Sequence, residues 1–329
     1  MEEILQHIQE VLNVPEVLIN QCTFLPEYIR MSLIASIKFI PWLYFLYYAI
    51  ELVERFFLKH INIFIRLIQK LGPLFGVAIS TIPECGYQVI ASTFYSRKMI
   101  SRGTLLAFFI ACSDDALPLL FMDLSKTFAI IPIIIIKIIL GIAVAYSVDI
   151  IDMMILRKRR IMEDINAINT DLNEPACCHH RIQTIEHPPY WWMHPLTHTF
   201  NMFMFTFLSL AVIECAINGF GSAENLASFL MIDTPYQLVV TAIIGLASNC
   251  AISVFLAMAY IKGIISFPAL LAGLITTTGL GLLTLTKRLD DKKDLSLITF
   301  ILLTTAILAG LFVYYNIYIF DMIKNYIFG

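Results

Sequence analysis

Asp114 and Asp115 stand side by side in "CSDDALP" (112–118), inside an apolar run that extends from residue 103 to 121. Carboxylates at membrane depth are costly, so this pair is expected to bind a cation or a proton. A second reading has them cap a helix restarting at Ala116, since Asp is a favoured N-cap. Glu84 occupies a comparable place in "TIPECGYQVI" (81–90), at the centre of the run 74–95. There Pro83 removes a backbone donor and Gly86 permits a sharp turn, which would free carbonyls before the turn and N–H groups after it. Lys137 is centred in "FAIIPIIIIKIILGIAVAY" (128–146). It is read as a counter-charge to the aspartates or as a proton-coupled gate. Cys85, Cys112 and Cys250 lie at or beside these breaks, where thiolates would suit As(III), Cu(I), Zn(II) or Hg(II). The plainer alternative is that Cys is a small residue allowing helices to cross closely. Gln88 and Asn249 are expected to line the same cavity with polar groups. A second cluster, Cys177, Cys178, His179, His180 and His187, with His194 and His198 beyond it, could hold Zn or another transition metal, although its spacing fits no finger or ribbon. Its alternative is a polar loop with Trp191 and Trp192 anchoring the next helix at the interface and His198 at that helix's start.

The elements that must position these residues are membrane helices. Of the 329 residues 59% are hydrophobic and 14% charged, against about a quarter charged in soluble domains. Apolar stretches recur at 33–53, 74–95, 103–121, 127–149, 199–217, 237–260, 264–285 and 295–320, near the ~20 residues that cross a bilayer. Residues 1–30 are polar or amphipathic and carry no visible cleavable leader. The seven cysteines show no framework spacing, which argues against a disulfide scaffold. A net charge of −3 without a basic, aromatic-interleaved patch gives no sign of nucleic-acid binding.

Shifting the chain by 165 residues lays 85–120 on 250–285 without a gap. Cys85 falls on Cys250, Tyr95 on Tyr260, Ile100-Ser101 on Ile265-Ser266, and Leu105-Leu106-Ala107 on Leu270-Leu271-Ala272. Two related halves therefore follow an N-terminal segment (1–30): a first transmembrane repeat at 31–149 and a second at 195–329, joined by a linker at 150–194. If 72–96 and 237–261 are re-entrant hairpins, segments 54–71, 97–102, 150–198 and 286–294 share a side and carry sixteen of the 22 Lys and Arg residues, against four opposite. Eight full spans would give no such skew, so the positive-inside rule favours hairpins. Each half then crosses the membrane three times, which inverts the second relative to the first. The expected fold is an all-α integral membrane protein, an inverted-topology repeat of two five-helix halves, each with a re-entrant hairpin and a broken helix. The linker (150–198) would be cytoplasmic and both termini outside. Opposed broken segments of this kind are a feature of secondary transporters.

The motifs Ile82-Pro83-Glu84-Cys85-Gly86-Tyr87-Gln88, Ser113-Asp114-Asp115-Ala116-Leu117 and Asn249-Cys250-Ala251-Ile252-Ser253, with Gly279-Leu280-Gly281-Leu282, resemble those of the ten-helix heavy-metal exporters. Members of that family carry labels such as arsenic efflux protein or manganese transporter. Family tips usually have Gly where Glu84 stands here, and a Gly usually separates the two Asp residues. The resemblance implies export of a metal or metalloid ion, Mn²⁺ or arsenite-like, across a bacterial inner membrane. Alternating access driven by H⁺ or Na⁺ is expected, with no cofactor beyond a transition-metal ion in the linker, and with a homodimer admitted. An organic-anion carrier of the same architecture and a passive ion channel are the alternatives. Neither a nucleotide-binding loop nor His-Glu-x-x-His, Gly-x-Ser-x-Gly or Cys-x-x-Cys occurs, so an enzyme is not expected.

Overall fold

A computed structural model describes residues 24, 26–59, 67–68, 71–82, 86–112, 115–122, 126–155, 193–232, 234–247, 249–289 and 291–316. Glu84, Cys85 and Asp114, and the linker residues Cys177, Cys178, His179, His180 and His187, lie outside the described residues. Among the described residues the regular structure is entirely helical. In chain order the helices are α1 (Glu27–Lys59), α2 (Pro73–Ser80), α3 (Gly86–Ser96), α4 (Arg102–Ala111), α5 (Ala116–Met122) and α6 (Ile130–Ile155). After the linker come α7 (Met193–Phe220), α8 (Ala223–Phe229), α9 (Pro235–Gly245), α10 (Cys250–Ile261), α11 (Phe267–Thr276), α12 (Gly281–Arg288) and α13 (Lys292–Tyr315).

Among the described residues, six segments are long and apolar enough to cross a membrane: Glu27–Ala49, Arg102–Phe121, Thr127–Met154, Pro195–Phe220, Phe267–Arg288 and Lys292–Tyr315. The chain is thus compatible with a multi-pass membrane protein. Four of the six present outward stripes of large apolar residues at helical spacing, such as Ile131, Ile135 and Ile139 on α6 and Phe200, Met204 and Leu208 on α7. In a soluble protein such stripes would be a liability; against lipid they are the expected outer face. The other two, α4–α5 and α11–α12, are buried along most of their length and form the centre.

Both central spans are interrupted. Helix α4 stops at Ala111 and resumes as α5 at Ala116, and α11 stops at Thr276 and resumes as α12 at Gly281. The breaks coincide with "CSDDALP" and "TTTGLG", where small, polar and glycine residues replace the apolar run. At the second break Gly279 adopts φ +50°, a left-handed conformation that a β-carbon disfavours. The hydroxyl of Thr278 then accepts the Leu282 N–H at 3.3 Å and restarts the helix.

The flanking helices are short. α2 and α3 have 8 and 11 residues, and α9 and α10 have 11 and 12, so each rises only about 12–18 Å, far less than the hydrocarbon thickness. The 165-residue offset reaches into backbone detail. Helix α3 ends with Lys98 at φ 61°, its N–H bonded to Tyr95 O and that of Met99 to Phe94 O. Helix α10 ends with Gly263 at φ 72°, its N–H bonded to Tyr260 O and that of Ile264 to Ala259 O. Both are Schellman closures at equivalent positions. Ser101 and Ser266 then occupy the N-cap positions of α4 and α11 with nearly identical dihedrals.

Without a hydrophobic drive between helices in lipid, close contact depends on small residues that let backbones approach. A β-carbon on Gly245 would fall 2.1 Å from Thr276 Oγ1 and 2.4 Å from Gly273 O, so α9 lies directly on α11. One on Gly103 would fall 2.2 Å from Ala145 O, which brings α4 equally close to α6. Gly245→Val is expected to destabilise the detergent-solubilised protein by about 1–3 kcal/mol through overpacking. Gly219→Ala, where nothing lies within 4 Å, is expected to be neutral or mildly stabilising. Thermal unfolding of the two variants side by side is the measurement.

Candidate functional site

The last carbonyls of a helix have no partner within it, and they form the negative end of its dipole. Helices α4 and α11 both end in the middle of the molecule, so two such ends must be satisfied there. Lys137 does this for both. Its helix α6 turns Ile133, Lys137, Gly141 and Ala145 inward, and the lysine is 3% exposed. Its ammonium donates to the carbonyl of Cys112, the residue that closes α4. It also donates to the carbonyl of Leu274, in the last turn of α11, at 2.7 Å. Leu274 O additionally receives the Thr277 hydroxyl at 3.1 Å. Expected from the sequence as a counter-charge to carboxylates or a gate, Lys137 thus engages backbone at both breaks.

Asp115 lies just before α5 and is 1% exposed. The phenol of Tyr47, on α1, donates to its Oδ1 at 2.8 Å. His198, on the second turn of α7, brings Nε2 within 3.6 Å of the same oxygen. The Tyr47 and His198 rings meet edge-on with centroids 4.2 Å apart. A phenol, a carboxylate and an imidazole therefore converge where α1 and α7 pack together. Such a group can hold a proton, or supply oxygen and nitrogen ligands to a small cation. His198 belongs to a buried cluster with Asp115, a role that its place near a helix start did not announce.

A third buried charge group lies at one end of the bundle. Arg102, first residue of α4, donates from Nε to Asp294 Oδ1 at 2.9 Å, and its Nη2 stands 2.7 Å from that oxygen. Its Nη1 donates to Asp152 Oδ1 at 2.5 Å. Tyr95 OH donates to the other oxygen of Asp294 at 2.7 Å. Beside them Asp149 accepts the Ser101 hydroxyl at 2.8 Å and the Gly103 N–H at 2.9 Å. The start of α4, the end of α6 and the start of α13 are thereby tied together. Toward the opposite end of α6, Lys126 sits 5.0 Å over the Tyr260 ring, and Lys262 pairs with Glu214.

The remaining expected site residues are placed as follows. Gln88 is fully buried on α3, where a β-carbon on Gly281 would lie 2.8 Å from its Cβ. One turn on, Ser92 donates to Gly281 O at 2.7 Å, so the close approach of α3 to α12 accounts for this stretch. Asn249 is exposed, and its side-chain oxygen accepts the Ala251 N–H, capping α10. Cys112 and Cys250 are both buried. Among the described residues no three His, Cys, Asp or Glu side chains are grouped to hold a metal ion. Tyr47, Arg102, Asp149, Asp152 and Asp294 were not anticipated as site residues. The last carried one signal, an acidic residue within the basic stretch "TKRLDDKKD" (286–294).

Compared with protein-family models, with curated proteins and with solved structures, the chain finds no match. The resemblance to heavy-metal exporters accordingly rests on its motif residues alone.

Removing one member of a buried ion group leaves the others uncompensated. Arg102 and Asp294 are 9% and 4% exposed, so Arg102→Ala is expected to destabilise the solubilised protein by about 3–5 kcal/mol. Asp294→Asn in the same chain should recover part of that loss. Tyr47→Phe, which removes a donor to a buried carboxylate, is expected to lose about 1.5–3 kcal/mol. Thermal unfolding of the single and double variants measures each.

Proposed function

We propose that this chain is a secondary transporter of a lipid membrane, in which two halves of inverted topology move against each other to carry a small ion. One observation carries the proposal: each of the three charge groups described above bridges the first half to the second. Asp115 meets His198, Lys137 meets Leu274 O, and Arg102 meets Asp294. Charges placed at a moving interface can bind and release ions as the interface rearranges, whereas charges within one rigid half cannot couple to that movement.

The inverted arrangement draws support from helix ends that match at the 165-residue offset. Helices α4 and α11 share both ends at that offset, α2 and α9 share their last residue, α3 and α10 share theirs, and α5 and α12 share their first. With α2–α3 and α9–α10 read as hairpins, three spans remain per half, an odd number. Eight full spans would put Arg102 and Asp294 on opposite membrane faces, so their 2.7 Å contact favours the hairpin reading. With hairpins, 97–102, 150–198 and 286–294 share a face, and the excess of Lys and Arg there marks it as cytoplasmic.

The cargo we propose is a metal or metalloid ion, Mn²⁺ or an arsenite-like species, as the motif resemblance implies. Asp115, Tyr47 and His198 are oxygen and nitrogen donors, which favours the hard cation of the two. Purified protein in proteoliposomes tests this. Wild type is expected to accumulate Mn²⁺ saturably against its gradient when an ion gradient is imposed. Asp115→Asn is expected to lose about tenfold or more of that flux, the factor given by about 1.4 kcal/mol of lost interaction. Flux of neither Mn²⁺ nor arsenite, or unchanged flux in a monodisperse Asp115→Asn preparation, would overturn the assignment.

A further inference from the structure

Lys137 occupies a place where two oppositely derived helix ends meet. The carbonyl of Cys112 closes α4 in the first half, and the carbonyl of Leu274 belongs to the last turn of α11 in the second. The lysine approaches from a third helix and is enclosed on all sides, at 3% exposure. Half-helix C-termini of this kind, with carbonyls converging at the midplane, are where membrane transporters coordinate a free monovalent cation. The equivalent position in the second half is Leu302, which is fully buried and neutral. The chain therefore places its own cation at one crossing.

We infer that the crossing of the two broken spans is a monovalent-cation site, selective for a primary ammonium, whose resident occupant is the Lys137 side chain. The tethered ammonium supplies both the positive charge that the helix ends require and the N–H groups that their carbonyls accept. A sodium ion would supply only the charge. The wild-type protein consequently has no vacancy for sodium at this crossing, and an ion gradient that drives it must act elsewhere. The inference concerns the folded protein alone and stands whether or not the cargo is a metal.

Lys137→Ala removes the atoms of n-propylammonium from the site, so that ion is the probe. In detergent, the apparent melting temperature of Lys137→Ala is expected to fall by about 5 °C or more. Millimolar n-propylammonium chloride is expected to restore at least half of the fall with saturating dose dependence, as a ligand of the folded state must. Sodium should restore less, 1-propanol nothing, and choline nothing. Wild type, whose site is already filled, should not respond to n-propylammonium. Equal rescue by 1-propanol would show that the site reads volume rather than charge, and would overturn the inference. So would an unshifted Lys137→Ala. Should Lys137→Ala not survive solubilisation, Lys137→Arg and Lys137→Met decide the matter. The inference requires Arg, which keeps the charge, to be the more stable; Met at or above Arg overturns it.

Discussion

A charge held in a low-dielectric interior persists only where fixed dipoles or opposite charges replace the water it has lost. In this protein the ammonium of Lys137 meets that requirement at the carbonyls that end α4 and α11. The dependence is mutual. Two helices that stop in the interior leave carbonyls to be satisfied there, and a lysine buried in the interior needs acceptors. Each would be intolerable alone. Together they fix where the two central spans cross, and so where the gaps at 112–115 and 277–280 fall relative to one another.

The rest of the molecule is arranged around that crossing. Glycines at 103, 245 and 281 bring α4 onto α6, α9 onto α11, and α3 onto α12 at distances no larger residue permits. The outer helices carry their bulk toward lipid and their small or polar residues inward, so α6 shows Ile131, Ile135 and Ile139 outside but Lys137, Gly141 and Ala145 inside. Tyr47 and His198 then approach Asp115 from the two helices that pack together across the halves. At the end of the bundle Arg102 plays the corresponding part for Asp152 and Asp294.

Much of this was legible in the sequence, for definite reasons. Apolar runs of membrane length give the spans, and clusters of small and polar residues in "CSDDALP" and "TTTGLG" give the breaks, because those residue types oppose a continuous apolar helix. The self-match gives helix ends that agree at the 165-residue offset in the Schellman closures at Lys98 and Gly263. What could not be read is which side chains meet. Tyr47 and Asp115 are 68 positions apart, and Arg102 and Asp294 are 192 apart; nothing local to any of them marks the partner. The ligands of Lys137 were hidden more deeply, since backbone carbonyls are common to every residue type. Arg102 was counted only as a marker of membrane sidedness, yet it is a largely enclosed residue that ties three helices together.

The repeat is closer in backbone than in chemistry. At the 165-residue offset Lys137 corresponds to Leu302, Asp115 to Leu280, Arg102 to Phe267, and Asp294 to Ala129. Each of these four charges is thus paired with an apolar residue at its equivalent position. At Tyr95 the hydroxyl donates to Asp294, while the ring of its counterpart Tyr260 lies under Lys126 and beside Phe267. If the halves exchange roles during transport, as the proposed inverted arrangement requires, the two end states differ in energy. One end of the bundle is closed by a buried ion network whose opening must rehydrate Arg102 and two aspartates. The other end is closed by aromatic packing, a cation over a ring and the Lys262–Glu214 pair. An ion network strengthens as water is excluded and weakens steeply once water enters, so its opening is the more switch-like of the two. If the halves do exchange roles, the asymmetry of residues on matching helix ends makes the two openings inequivalent, because one must rehydrate an ion network and the other must part aromatic rings.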